Sequence, residues 1–329
     1  MDSARQVVCD HLTKIYGKSQ TKALDSLSFS LHSRGIFVLI GRNGSGKTTL
    51  VRILATELEP TSGTATINGI DVLKESRRLR ETIAIVPQEA RPIPWMTPMQ
   101  TVLSYLLWRG FTYGEAMQRG LGALEKVGLS DKSNVLNRSL SGGMRRKVMI
   151  ATVLASEAEV IFLDEPTTGL DPGARRDLWQ YLGILRDQER VSIIVTTHLM
   201  EEAERCDRLA ILSEGSLVAL GTPESLTREI GGDVILLEAR DPQLLADQIR
   251  NRFHVDATVM DQQVRLEIEN GHRFVPDVVE AFPGEIQSLS VSKPTLEDVF
   301  IHRTGHRFWN EGAEPEVGAE KEKKGRKKH

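Results

Sequence analysis

The 329-residue sequence predicts an α/β protein built around a glycine-rich loop, with a smaller α+β unit behind it. Short runs that are almost wholly apolar alternate with stretches of helical periodicity. Phe37-Val38-Leu39-Ile40, Ile83-Ala84-Ile85-Val86, Val160-Ile161-Phe162-Leu163 and Val191-Ser192-Ile193-Ile194-Val195 have the form of strands buried on both faces of a parallel sheet. The first of these feeds Gly41-Arg42-Asn43-Gly44-Ser45-Gly46-Lys47-Thr48 and then Thr49 to Leu54, which reads as a helix. Strand, glycine loop, Lys-Thr pair and helix in that order make a phosphate-cradling P-loop. Beyond Gly231-Gly232 the pattern becomes strand, helix, strand, strand, helix, strand, the βαββαβ order of a ferredoxin-like unit.

Val7 to Leu12 and Leu24 to Leu31 alternate as two strands joined through Tyr16-Gly17. Tyr16 is placed either to stack on an adenine or to pack a hairpin turn. In the loop, glycines at 41, 44 and 46 let successive N–H groups turn inward, and the helix start adds unpaired N–H groups and a favourable dipole end. Lys47 is expected to reach β- and γ-phosphates, and Thr48 offers a hydroxyl to Mg²⁺. Pro60 to Gly63 turns the chain, Thr64 to Ile67 is a short strand, and Leu73 to Glu81 reads as an amphipathic helix leading into the strand that ends at Pro87-Gln88.

The next segment, Arg91-Pro92-Ile93-Pro94-Trp95-Met96-Thr97-Pro98, is proline-broken and carries large apolar side chains; Met99 to Arg109 and Glu115 to Val127 follow as helices. A loop of this kind heading a helical insertion reads either as a docking surface or as a loop whose Trp95 fills local core. Leu140-Ser141-Gly142-Gly143 opens a helix running to about Ala155, with Ser141 as N-cap. Arg145, Arg146 and Lys147 make its first turns cationic, against the helix dipole, which suits either an arriving anion or a solvated basic face.

Asp164-Glu165 ends the strand from Val160, at the sheet edge where the P-loop also lies. Asp164 can hold Mg²⁺, and Glu165 is placed to polarise an attacking water. Gly169-Leu170-Asp171-Pro172 forms a loop before a helix from Ala174 to Arg186, and His198 follows the strand from Val191 at the same edge. Leu209 to Leu212 and Ser216 to Ala219 pair as a hairpin, and Gly221-Thr222-Pro223-Glu224 starts a short helix. The elements after Gly232 are expected at Val234 to Ala239, Pro242 to Asn251, Val255 to Met260, Val264 to Glu269, Arg273 to Phe282 and Ile286 to Val291, with a last helix from Leu296. From about Gly312 to His329 the chain is Glu- and Lys-rich, a disordered charged tail that suits solubility or contact with anionic lipid.

A net charge of -3 argues against wholesale nucleic-acid binding. Cys9 and Cys206 have no metal-like spacing and read as reduced, non-catalytic thiols. No stretch approaches the roughly 18 apolar residues of a membrane span, and no basic-then-apolar leader is visible, so the chain is expected neither to cross a membrane nor to be exported by a classical signal.

Together these motifs, from about Val7 to Arg228, resemble the nucleotide-binding subunit of an ATP-binding cassette (ABC) transporter. The resemblance implies a P-loop NTPase core with an antiparallel β-subdomain and a helical subdomain at about 97–156, all within 1–230, followed by an accessory or dimerisation unit at 232–311. It implies that ATP is held by Tyr16, by Gly41 to Thr48 (Walker A, including Arg42, Asn43 and Ser45) and by Thr49. Across a dimer interface Ser141, Gly142 and Gly143 of the opposite subunit complete the site. Mg²⁺ falls to Thr48, Gln88 and Asp164, and catalysis to Glu165, His198, Gln88 and Lys47. Met144 stands where the family commonly has glutamine. Lys293-Pro294-Thr295-Leu296-Glu297-Asp298-Val299-Phe300 with Thr304-Gly305 resembles the ending of ATPases that serve ABC-2-type exporters of the daunorubicin-resistance and sodium-efflux kind. The partners implied are a second copy or a similar ATPase, and separately encoded membrane permeases, at the cytoplasmic face of the membrane. Competing readings are a soluble ABC ATPase of DNA repair or translation, which lacks support in a coiled-coil insertion or second cassette, and a regulatory adaptor that binds nucleotide without turnover.

Overall fold

A computed structural model of the protein describes residues 6–305 and 308, except 18, 19, 33, 190 and 261. The charged tail expected from Gly312 lies outside the described residues. In the first half, β1 (Gln6–Tyr16), β2 (Thr21–His32), β3 (Gly35–Ile40), α1 (Lys47–Leu54), β4 (Ser62–Ile67), β5 (Ile70–Asp71), α2 (Ser76–Thr82) and β6 (Ile83–Val86) lead to the helices α3 (Pro98–Trp108), α4 (Tyr113–Lys126) and α5 (Gly142–Ala155). Then follow β7 (Val160–Asp164), α6 (Pro172–Glu189), β8 (Ser192–Thr197), α7 (Met200–Ala203), β9 (Arg208–Ser213), β10 (Ser216–Gly221) and α8 (Pro223–Arg228). The smaller unit holds β11 (Asp233–Ala239), α9 (Pro242–Phe253), β12 (Ala257–Met260), β13 (Gln263–Ile268), α10 (Gly271–Ala281) and β14 (Ile286–Ser292), and α11 (Leu296–Thr304) follows it.

The central sheet runs β10-β9-β3-β8-β7-β6, parallel except for the β9–β10 hairpin. Its register pairs Ile40 with Thr197 and Asp164 with Thr196, so β3, β7 and β8 end level with one another. That alignment is what brings the glycine loop, Asp164-Glu165 and His198 to one edge. Alternation along β3 sends Phe37 and Leu39 to one core and Val38 and Ile40 to the other. The first core is covered by α1 and an antiparallel sheet ordered β2-β1-β4-β5; the second is covered by α3 to α6.

Several expected bounds shift, among them β1, which runs on from Leu12 to Tyr16, and β2, which begins at Thr21; two further shifts have a visible cause. The helix expected from Leu73 begins at Ser76, because the Asp71 carboxylate accepts from the Leu73 and Lys74 N–H groups and turns the chain first. The helix expected from Ala174 to Arg186 extends from Pro172 to Glu189. Asp171 caps its start by accepting from the Gly173 and Ala174 N–H groups.

In the helical part, Thr97 and Thr112 begin α3 and α4 with reciprocal caps to Gln100 and Glu115. Buried Asn137 donates to the Ile93 carbonyl and to Thr101 Oγ1, both at 2.9 Å, and its own N–H goes to the Met96 carbonyl at 2.8 Å. The proline-rich loop is therefore pinned from beneath. Trp95 does not fill local core: it is 74 % exposed.

The smaller sheet is antiparallel in the order β12-β13-β11-β14, the ferredoxin-like arrangement, with α9 and α10 on one face over Ile235, Leu237, Val264 and Leu266. On α11, Leu296, Val299 and Phe300, together with Phe308, join Val234, Leu226 and Ile230 in the core beneath the central sheet. The buried Arg265 guanidinium on β13 reaches Asp298 of α11 and Glu267, both at 2.7 Å. Among the described residues no helix is long and apolar enough to cross a membrane.

Phe300 is fully buried and packs edge-to-face on Phe308, with ring centroids 5.0 Å apart. Phe300→Ala is expected to destabilise the part that holds the central sheet by about 3–5 kcal/mol, read from the urea midpoint of the transition that also loses nucleotide binding.

Candidate functional site

The chain leaves β3 at Gly41, where a Cβ would lie 2.3 Å from Ser45 Oγ and 2.4 Å from the Leu212 carbonyl oxygen. At Gly46, before α1, φ is +101° and a Cβ would lie 2.4 Å from the Ala23 carbonyl oxygen. Both positions exclude a side chain, and Gly46 offers no side-chain cap, so the first N–H groups of α1 remain open to an anion. Ser45 Oγ is buried with no hydrogen-bond partner among the described residues. A side-chain-free cradle, uncapped N–H groups and an orphaned hydroxyl fit a polyphosphate.

Lys47 is 4 % exposed, and its ammonium donates to the Gly41 and Arg42 carbonyls at 2.7 and 3.0 Å. Burial pulls its pKa down, while the charges of Glu165 and Asp164 oppose that shift. Thr48 Oγ1 donates to Asp164 Oδ1 at 3.2 Å, which places two oxygen ligands side by side, a donor set suited to Mg²⁺. Tyr16 ends β1, part exposed, with its hydroxyl 3.4 Å from Thr49 Oγ1.

Glu165 sits just past β7 at φ +43°, a left-handed conformation uncommon for a residue with a Cβ. Its carboxylate accepts from Gln88 Nε2 at 3.0 Å and Thr168 Oγ1 at 2.9 Å, and it lies 3.4 Å from His198 Nδ1. The His198 ring beside it is the largest influence holding the Glu165 pKa below the usual range; burial opposes it, and Thr168 and Lys47 add to it. Glu165 is therefore an anion at neutral pH. The geometry brings together Lys47, Thr48, Gln88, Asp164, Glu165 and His198.

Among the described residues no hydrogen bond joins Ser141, Gly142 or Gly143 to the glycine loop of the same chain; Ser141 Oγ instead accepts from the Met144 N–H at 3.2 Å and caps α5. All three stand at the surface or half-buried. The cationic start of α5 departs from both sequence expectations at Arg146. This residue is buried, and its guanidinium faces neither solvent nor an open anion site but backbone carbonyls.

Thr196 and Thr168 also escape sequence reasoning. The Thr196 hydroxyl donates to Asp164 Oδ1 at 2.5 Å and accepts from the Glu165 N–H at 2.9 Å, so one buried side chain fixes both acids. A visible signal was the polar pair Thr196-Thr197 closing an otherwise apolar strand; its partners follow only from the register Asp164 to Thr196.

A parallel sheet carrying this loop and these acids at one edge defines a P-loop nucleoside triphosphatase. Residues 24–168 match the family described as ABC transporter, and residues 221–304 match the C-terminal domain of DrrA1-3-like ATP-binding proteins. The linearmycin resistance ATP-binding protein LnrL of Bacillus subtilis is 33% identical over 307 residues, covering 90% of this chain and 97% of the relative. The daunorubicin/doxorubicin resistance ATP-binding protein DrrA of Streptomyces peucetius is 31% identical over 324 residues, covering 95% and 97%. The ATP-binding cassette MJ0796, described as a dimer in a post-hydrolysis state bound to ADP and Pi, matches with TM-score 0.60 at 26% identity, over 66% of this chain and 98% of its own. The chain belongs to the ABC transporter family and closely resembles its DrrA and LnrL members. It is an ATP-hydrolysing enzyme that powers transport, and its P-loop binds ATP.

Thr196→Val keeps the shape but leaves the Glu165 N–H unpaired and Asp164 short of a donor, a cost of roughly 1–3 kcal/mol per group. The variant is expected to lower the thermal midpoint and to slow ATP hydrolysis at least about tenfold, with Thr196→Ser restoring both. Calorimetry and phosphate release measure the two effects.

Proposed function

We propose that the chain is the ATPase subunit of an ABC-2-type exporter and works as a head-to-tail dimer, a homodimer or a pair with a similar ATPase. The observation that carries this reading is the Glu165 carboxylate, held charged by His198 and Thr168 and bonded by Gln88, beside buried Lys47. Gly41 to Thr48 and Thr49 hold the phosphates, Lys47 neutralises their charge, and Tyr16 stacks on the adenine. Thr48, Gln88 and Asp164 would hold Mg²⁺, which when bound neutralises charge on the β- and γ-phosphates. Glu165 takes a proton from water as the water oxygen bonds to the γ-phosphorus and the bond to the β–γ bridging oxygen breaks, the electron pair leaving with ADP. His198 stabilises the charge that gathers on the γ-phosphate.

A loop that cradles phosphates from one side needs donors from the other, and exposed Ser141 with Gly142 and Gly143 supplies them when offered by an opposite subunit. The dimer described for MJ0796 supports a two-subunit assembly. Residues 1–230 would carry the nucleotide, with 97–156 as the moving helical part and 232–311 as an accessory unit. A cleft of about 890 Å³ next to Gln88, walled by Pro92, Ile93, Trp95, Arg138 and Leu170, suits a separately encoded membrane permease, which would hold the subunit at the cytoplasmic face. The basic end of the tail would meet anionic lipid. Resistance to linearmycin and to daunorubicin/doxorubicin is named for the relatives; a small amphipathic drug or lipid is the cargo class this likeness favours.

Lys47→Ala is expected to weaken ATP binding, and Glu165→Gln to retain binding while turnover falls roughly 10²- to 10⁴-fold, followed by phosphate release. Glu165→Gln protein should form an ATP-dependent dimer visible by light scattering, which ADP does not produce. Adding Ser141→Arg should abolish that dimer while each subunit still binds ATP, because the glycine loop and Lys47 lie on the near side.

A further inference from the structure

Arg146 is the fifth residue of α5, a cation near the positive end of a helix dipole and only 8 % exposed. Burial pushes its pKa down to about 10, and the nearby Asp164 opposes the shift, so the guanidinium remains charged at neutral pH. A buried charge persists when its donors are satisfied, and here the acceptors are backbone carbonyls of two separate segments. Nε donates to Pro166 at 3.0 Å, and Nη2 to Asp164 at 3.0 Å and Glu165 at 3.4 Å. Nη1 faces Pro87 at 3.2 Å, Gln88 at 3.3 Å and Ala90 at 3.5 Å.

Those segments carry the two ends of the Gln88–Glu165 hydrogen bond. Glu165 also holds a left-handed backbone, a strained conformation that survives only where its surroundings over-determine it. The Thr196 hydroxyl fixes the Glu165 N–H, and Arg146 fixes the carbonyls before, at and after it. Five residues upstream on the same helix, Ser141 caps α5. One rigid fork thus links the helix bearing Ser141, the segment bearing Gln88 and the strained turn bearing Glu165.

We infer that Arg146 is a positioning residue for Glu165, aligning the carboxylate through the flanking backbone and making that alignment follow the placement of α5. The inference rests on Glu165 acting as the base. A planar fork is needed, because an ammonium cannot meet carbonyls in two segments with fixed geometry. An Arg146 that merely cross-links the core would affect stability and leave the turnover of folded protein untouched.

The test compares R146K, R146Q, E165Q and R146K/E165Q, each confirmed folded by circular dichroism and assayed at least about ten degrees below its unfolding midpoint. R146K retains the charge and R146Q a hydrogen-bonding head. Steady-state phosphate release gives kcat, and fluorescent ADP titration gives affinity. Folded R146K or R146Q is expected to lose about 10²-fold in kcat, the scale of a 1 Å misplacement, with ADP affinity within about twofold of wild type. R146K/E165Q should be no slower than E165Q, because an absent base cannot be misaligned. Wild-type kcat in folded R146K and R146Q, or losses that multiply in the double variant while E165Q is itself impaired, would overturn the positioning role. Undiminished turnover in E165Q overturns the base assignment instead, whatever the Arg146 variants do.

Discussion

One lysine and two carboxylates lie buried together at one edge of the sheet, and much of the surrounding structure keeps that arrangement satisfied. Lys47 is folded back on the Gly41 and Arg42 carbonyls, so its ammonium is solvated by backbone rather than by solvent. Burial weakens its hold on the proton, and the charges of Asp164 and Glu165 strengthen it. The negative side is balanced separately: Thr48 and Thr196 serve Asp164, while Gln88, Thr168 and His198 serve Glu165. A polyphosphate entering this edge meets a cation already in place, which favours differential stabilisation over reorganisation.

The glycine loop was legible in the sequence because its spacing is dense and each residue type answers a local demand, as the Gly41 and Gly46 approaches bear out. The acids were legible because a strand that is apolar throughout and ends in Asp-Glu has one place to put them. Thr196 was not, since its value lies in a cross-strand register that no local pattern encodes. Arg146 was misread for a related reason. Sequence reports its charge and the helix end it occupies, but its partners are carbonyl groups, which every residue carries. The early start assigned to α2 ignored how readily Asp71 diverts the following N–H groups into a turn.

The loop before α3 pairs rigidity with exposure. Asn137 is fully buried and contacts this loop at two carbonyls, yet a few atoms away Trp95 stands in solvent. An apolar side chain held out on an ordered backbone loses little conformational entropy when covered, unlike one on a slack loop. The stretch just before it, Pro87 to Ala90, is clasped by Arg146, so hydrogen bonds tie α5 to the chain that leads into this loop.

The course of α11 changes how the smaller unit should be regarded. Chain leaving the central sheet through α8 enters the ferredoxin-like sheet and then returns, because α11 packs into the same core and Arg303 pairs with Glu229 just past α8. Topologically the unit is an insertion clamped at both ends, not a bead on a single tether. A body held at two neighbouring points can rock about the line between them but cannot swivel freely, so a load on its far edge becomes torque on α8 and α11 together. Whatever grips β14 or α10 therefore bears on the core that α8 and α11 share beneath the central sheet, at the end of the polypeptide opposite to the glycine loop.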